Sequence, residues 1–378
     1  MIYIIFASVT SLAISFLFMP LLINLLEKGE LLDEGGHRKI HKGNIPSMGG
    51  IVIFIAFMFS ILAWLPATPA FDRKYFLGAI SLIALLGIRD DFAPTLPRQK
   101  LLVQFIAASI IVLLTDIRVF SFYGFLGIEV IPVWISYIIS VLFIVFITNA
   151  FNLIDGIDGL AGLMGAIGLS LFGVWFYFAG FPEYSIVAIV LVGAILGFLY
   201  YNWHPASIFM GDTGSLVIGF TLSICAIWFF NLNASLPDSS LLSFNAPFSI
   251  ALGVLLFPIF DTARIVLLRA RQRKSPFVAD RQHTHHHVLR MTKNQSNTTI
   301  IITLTYLIVL ALIMALAGIV SDNILIPTII IFCILLDMLL KNRLLKFFRK
   351  RHSLRSPESK SVYIAQEKEQ EKDVKKIC

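Results

Sequence analysis

The sequence predicts an all-α, polytopic integral membrane protein with about eleven transmembrane helices. Three observations carry that prediction. Of 378 residues, 57% are hydrophobic and only 14% are charged, against about 25% charged in an average soluble domain. Eleven apolar runs are long enough, or nearly so, to cross a hydrocarbon core about 30 Å thick, which takes roughly 20 residues. Lys and Arg gather on alternate connections between those runs.

The runs lie near 2–25, 48–66, 75–88, 100–116, 131–148, 159–178, 183–200, 213–231, 248–268, 299–320 and 323–340. The first has no basic residue before it and no small-residue cleavage site after it. It reads as a retained span rather than a cleavable signal. The third is short and ends in the charged "IRDD". The ninth holds Asp261 and Arg264 three apart; these can simply pair with each other, or mark a functional site as intramembrane charges do. The connections at 26–47, 89–100, 269–298 and 341–378 carry four, three, seven and twelve Lys/Arg, and the opposite connections only Arg73, Lys74 and Arg118. The basic side is expected to be cytoplasmic, which puts the N-terminus outside and the C-terminus inside.

Residues 1–340 are therefore expected to form one transmembrane domain, and 341–378 a basic, partly disordered cytoplasmic tail. The tail holds twelve basic and five acidic residues, a net of +7, which equals the formal charge of the whole chain. Such a juxtamembrane segment meets anionic lipid head groups. Membrane lipid, and not nucleic acid, is its expected partner. The three cysteines, Cys225, Cys333 and Cys378, show neither metal-ligand spacing nor a disulfide framework.

The polar clusters fall on one side. "DEGGHRKIHKGNIPSMGG" (33–50), "RDDFAPTLPRQK" (89–100), "NAFNLIDGIDG" (149–159), "YNWHPASIFMGDTGS" (201–215) and "ADRQHTHHHVLR" (279–290) all lie on connections assigned to the cytoplasm, while outer loops such as "AGFPEY" are short and plain. Asp90 and Asp91 are adjacent at a span end, where like charges about 4 Å apart repel by about 4 kcal/mol at an intermediate dielectric. A solvated loop pair is the alternative. Asp155 and Asp158 share one helix face if "IDGIDGL" opens the sixth span. They can serve the helix dipole there, but Asn149, Asn152 and the glycines exceed what a cap needs. Asparagine carbonyls suit hard cations. Asp212, in "FMGDTGS", fits either an N-cap or a metal-phosphate loop. His283, His285, His286 and His287 with Arg281 suit phosphate oxygens better than zinc, because Cys partners and regular ligand spacing are missing. Carboxylates for Mg²⁺, basic groups for phosphates and a membrane setting together point to phosphoryl-type transfer from a charged soluble donor to a lipid.

At these residues the chain resembles the polyprenyl-phosphate N-acetylhexosamine-1-phosphate transferase family, glycosyltransferase family 4. "RKIHKGNIPSMGG", "DD", "NAFNLIDGIDGL", "FMGDTGS", "PIFDTAR" and "DRQHTHHH" occur together and in the family's order. Eleven spans and the His-x-His-His pattern are similar to the WecA/TagO-like branch rather than the ten-span MraY relatives; His287 stands where that branch usually has an aliphatic residue. The resemblance implies a UDP-N-acetylhexosamine donor, GlcNAc above others, and undecaprenyl phosphate as acceptor. It implies UMP release at a cytoplasmic-face site in the bacterial inner membrane, opening a cell-envelope polysaccharide such as O-antigen or teichoic acid. It implies Mg²⁺, with Mn²⁺ as substitute, on Asp212 and Asn152. Phe209 would lie against uracil, and Lys42 and Lys100 would meet phosphate. His283, His285, His286 and Arg281 would meet the pyrophosphate or sugar, with His283 among the catalytic groups. Asp90 and Asp91 would orient or deprotonate the lipid phosphate, Asp155 and Asp158 would shape the nucleotide and metal site, and Asn149 would bind substrate. A homodimer is a further expectation. Two alternatives stand beside this reading: the same reaction with another donor such as UDP-MurNAc-pentapeptide, and a secondary transporter, which uptake against UMP release would separate.

Overall fold

The computed structural model describes residues 1–28, 45–66, 73–237, 239–272 and 283–353, with side chains to 339. Lys42, Arg281 and the tail beyond Ser353 lie outside the described residues. All eleven apolar runs are helical. Among the described residues, eight helices are long and apolar enough to cross a membrane: α1 (Ile2–Lys28), α4 (Pro97–Leu114), α5 (Val133–Leu153), α6 (Leu160–Phe178), α7 (Pro182–Asn202), α8 (Gly211–Ser235), α12 (Gln295–Ala317) and α13 (Asp322–Ser353). Two others are less complete as spans. Helix α2 (Gly49–Trp64) has 16 residues, about 24 Å at 1.5 Å per residue, and α3 (Arg73–Phe92) carries charge at both ends.

The run at 248–268 is not the single span that its hydropathy suggests. It is broken into α9 (Pro247–Val254) and α10 (Leu256–Arg271), bent by 77°. Pro258 is the cause: it has no N–H for the carbonyl four residues back and its ring crowds that turn. That carbonyl, on Val254, instead accepts the Tyr306 hydroxyl of α12 at 2.9 Å, since a backbone acceptor cannot stay unpaired in a dry interior.

Helix α8 sits at the centre. It packs against α2, α3, α5, α6, α7 and α9, and all but a few of its residues are buried. A helix that is apolar all round belongs inside. The outer helices α1, α12 and α13 instead expose large apolar side chains such as Leu17, Ile308 and Leu335. A surface of that kind requires lipid rather than water.

Because neighbouring helices alternate in direction, the ends of α3, α5 and α7 and the starts of α2, α6, α8 and α12 lie at the same end of the bundle. The acid-rich and glycine-rich connections are therefore brought to one face. Two local readings are corrected here. Asp155 and Asp158 do not share a helix face, because α6 begins only at Leu160 and its N-cap, Gly159, has φ +74°. The glycines break the helix and leave both acids in a tight non-helical turn. The histidine stretch is no simple loop, since residues Thr284–Thr292 form a further helix, α11.

Candidate active site

The centre of the polar face is the start of α8. The chain turns into that helix at Gly211, whose φ is +74°, a conformation costly for any residue with a Cβ. A side chain there would also meet the Asp91 carboxylate at 2.6 Å. Asp212 is the second residue of α8 but does not cap it. Asp91, reaching over from the end of α3, does so. Its Oδ1 accepts the Asp212 N–H at 2.6 Å, and its Oδ2 accepts the Thr213 N–H at 3.1 Å and hydroxyl at 2.6 Å. Three donors at a helix N-terminus hold the carboxylate firmly and leave the Asp212 side chain free for other partners.

Those partners come from two further helices. Lys100, on α4, places its ammonium 2.6 Å from Asp212 Oδ2 and 2.6 Å from Asp90 Oδ2. Asn152, in the last turn of α5, donates to Asp212 Oδ1 at 3.0 Å and to the Ser215 hydroxyl at 2.8 Å. Asp90 is otherwise engaged with Thr95, whose N–H and hydroxyl lie at 2.7 and 2.5 Å. It therefore fixes the α3–α4 turn and holds Lys100.

Above this cluster opens a cavity of about 310 Å³. Asp91, Asn152, Asp155, Asp158, Phe209, Asp212 and His286 contribute to its wall, together with Ser47, Asn202 and Gln295, which the sequence reading did not single out. Only their place beside span boundaries, as in "YYNWH" and "TKNQSN", could have drawn attention to the last two. Asp158 is nearly enclosed. Its Oδ2 lies 2.8 Å from His204 Nδ1, its N–H donates to Gln295 at 3.0 Å, and its carbonyl accepts the Thr299 hydroxyl at 2.8 Å. It ties the 154–159 turn to α12 and to the segment after α7. Among the described residues Asp155 has no such set of donors. Burial, and then the neighbouring Asp212, Asp91 and Asp158 carboxylates, push its carboxyl up to about 8.

The expected site residues thus separate. Asp91, Asn152, Asp155, Asp158, Phe209, Asp212 and His286 share one cavity wall, with Lys100 directly behind Asp212. Asn149 is not on that wall. It is paired with Gln104 of α4 and with the Val145 carbonyl, so it joins α4 to α5. His283 is turned away, its Nδ1 2.7 Å from Asp261 of α10. His285 is 1% exposed and packs against Gly156, where a Cβ would stand 2.7 Å from its Nε2. Burial, and then the neighbouring His286, lower the His285 pKa to about 3, so it carries no charge toward a phosphate at neutral pH. Burial, with Arg264 and Arg290 nearby, lowers His287 to about 4.

The donor chemistry of the wall fits a hard divalent cation. Its candidate ligands are carboxylate and amide oxygens, and the crowding that raises Asp155 is what a cation would relieve. Among the described residues no group of three His, Cys, Asp or Glu side chains is gathered into a ready-made cage. Mg²⁺ binds through one or two protein carboxylates and completes its shell with water and substrate phosphates.

Comparison with known proteins gives the following likenesses. A family model described as glycosyl transferase family 4 matches residues 74–230, which hold Asp90 through Asp212 but not the histidine helix. A probable undecaprenyl-phosphate N-acetylglucosaminyl 1-phosphate transferase of Bacillus subtilis (strain 168) is 32% identical over 290 residues, covering 76% of this chain and 78% of that protein. A phospho-N-acetylmuramoyl-pentapeptide-transferase of Thermoanaerobacter sp. (strain X514) is 34% identical over 279 residues, covering 67% and 83%. A decaprenyl-phosphate N-acetylglucosaminephosphotransferase of Mycolicibacterium smegmatis is 33% identical over 125 residues, about 30% of each chain.

Proposed function

Because this chain belongs to glycosyl transferase family 4, we propose that it transfers N-acetylhexosamine-1-phosphate from a UDP-sugar to undecaprenyl phosphate, with GlcNAc as the sugar. An oxygen of the lipid phosphate attacks the β-phosphorus of the donor. The bond from that phosphorus to the bridging oxygen breaks, UMP leaves with the bridging oxygen, and the lipid keeps a pyrophosphate-linked sugar. No bond to the protein forms, so the protein's work is placement and charge stabilisation.

The observation that carries this reading is the convergence of Asp91, Asn152, Asp155, Asp212 and His286 from separate elements on one cavity, with Lys100 at 2.6 Å from Asp212. Asp212 and the Asn152 amide oxygen are the groups that would hold Mg²⁺, which when bound supplies positive charge to the donor diphosphate. Lys100 is long enough to leave Asp212 for a phosphate oxygen. Phe209 offers a flat face for the uracil, and His286 offers ring nitrogens to the pyrophosphate. Asp91 is held by three donors at α8, which suits a fixed wall better than a mobile base. A lipid phosphate is already largely ionised at neutral pH (second pKa about 6), so no base is needed. The basic connections at this end of the bundle support a cytoplasmic-face site in a bacterial inner membrane.

The test is purified protein with undecaprenyl phosphate, Mg²⁺ and a panel of UDP-sugars, scored for UMP. UDP-GlcNAc should give the fastest release, and release that depends on the lipid. No UMP from any donor overturns the reading, and UMP from UDP-MurNAc-pentapeptide alone replaces the sugar.

A further inference from the structure

Asp261 lies in α10, just past the 77° break, and is 1% exposed. Its carboxylate is fully used. Oδ1 accepts the Thr284 N–H at 2.7 Å, the Thr284 hydroxyl at 2.6 Å and Arg264 Nη2 at 3.3 Å, while Oδ2 meets His283 Nδ1 at 2.7 Å. Thr284 is the first residue of α11 and His283 its N-cap, whose side chain makes no cap bond within the helix. Asp261 therefore caps α11 from a neighbouring helix. Arg264, with Nη1 3.7 Å from Asp337 of α13, balances its charge and joins the last span to the same network.

The consequences run along α11 to the cavity. The bond to Asp261 keeps the His283 proton on Nδ1. The His283 ring stacks on His285, with centroids 5.5 Å apart and planes at 12°, and His285 contacts His286 at 4.4 Å. Only His286 of these reaches the cavity wall. Resting on the transferase reading above, we propose that Asp261 is a positioning residue for the reaction: it sets the start of α11 and the His283 ring, and through the packed imidazoles it aims His286 at the substrate phosphates. Asp261 touches no substrate itself. A carboxylate whose only task was to neutralise Arg264 would not need both oxygens on the cap of another helix.

The test uses the full-length protein in detergent with UDP-GlcNAc, undecaprenyl phosphate and Mg²⁺. Asp261→Asn keeps size and an acceptor for Thr284 but presents an N–H to His283, which must then carry its proton on Nε2. It should lower kcat by about 10- to 100-fold, the usual effect of losing a group that orients an active-site ligand. KM for either substrate should move by less than about threefold, as when an interaction is lost chiefly in the transition state. Thr284→Ser, which keeps the hydroxyl, should stay within about twofold of the unmodified protein, while Thr284→Val should lose about fivefold or more for the missing bond. Hydrogen exchange gives a readout independent of turnover: amides of 284–292 should exchange faster in Asp261→Asn, with those at the start of α8 unchanged. Unaltered kcat together with unaltered exchange overturns the proposal. So does a loss of kcat that merely follows a fall in thermal midpoint, with faster exchange throughout the bundle. If the unmodified protein releases no UMP, the transferase reading fails, and the aim of His286 at phosphates fails with it. Exchange would then show whether Asp261 still holds the helix.

Discussion

Two carboxylates in this molecule make the same structural move and end in opposite electrostatic settings. Asp91 reaches from α3 to cap α8, and Asp261 reaches from α10 to cap α11. Each accepts the N–H and the hydroxyl of a threonine in the first turn of the helix it caps, Thr213 in one case and Thr284 in the other. Asp261 is met by Arg264 and His283 and sealed from solvent. Asp91 opens onto the cavity, beside Asp212 and Asp155. The neutralised cap needs nothing further. The other leaves negative charge on a cavity wall, and that imbalance is what a cation and a phosphorylated donor would satisfy. The comparison teaches that a cap alone does not mark a reaction centre. The uncompensated charge around it does.

The comparison can be broken most sharply at Asp212. Asp212→Asn keeps the shape of the α8 turn and removes the charge. Turnover should fall by at least about a thousandfold, as when a major electrostatic contact to a transferring phosphoryl group is lost, while the detergent-solubilised protein keeps its thermal midpoint. Unchanged UMP release would remove Asp212 from the centre. Next in size is Asp91→Ala, which strips the cap as well as the wall. It should lose about a hundredfold in turnover and also about 1–2 kcal/mol of stability, read by thermal unfolding. A variant that loses turnover but no stability would mean that the capping contacts contribute little to the fold.

Gly156→Ala sharpens the link between the two regions. The added methyl would stand 2.7 Å from His285 Nε2, so the buried His285 ring, or α11 with it, must shift away from the 154–159 turn. A tenfold loss, about 1.4 kcal/mol, is expected in kcat, and Gly78→Ala, with nothing within 4 Å, serves as the unaffected control.

The smallest effect is one of pH. Asp155 has its carboxyl raised to about 8 in the fold, against about 3.9 in an unfolded chain. Between those values the folded protein binds the extra proton, so the stabilisation is complete below about pH 4 and is lost as pH rises through about 8. The thermal midpoint in chelator should therefore fall from pH 5 to pH 8, and Mg²⁺ should restore it most at the upper end. A midpoint that rises over this range, or ignores Mg²⁺ at pH 8, would mean that the crowded carboxylates are relieved by some other group.

The sequence by itself determined the helices and the gathering of the polar segments at one end. Both follow from short-range facts. An apolar run in lipid must satisfy its backbone internally and so becomes helical, and successive crossings must alternate in direction, which assigns each connection to a side. The acid-bearing segments around Asp90, Asp155 and Asp212 were legible for that reason. Their division of labour was not. Pro258 was visible, but that it would break the ninth run depended on Tyr306 standing ready for the freed carbonyl. Asp155 and Asp158 read as one helical face until the turn at Gly159 set Asp155 among the cavity carboxylates and bound Asp158 to His204. Asn149 and Asn152 are three apart in sequence, and only the neighbours of α5 send one to Gln104 and the other to Asp212. Three histidines were expected at the pyrophosphate or sugar, and packing sends His283 to Asp261, buries His285 against Gly156 and leaves His286 on the cavity wall. Tertiary structure alone could settle these points, because a side chain's role depends on the charge and hydrogen-bond partners that packing brings within about 3 Å of it, and those partners lie scores of residues away along the chain.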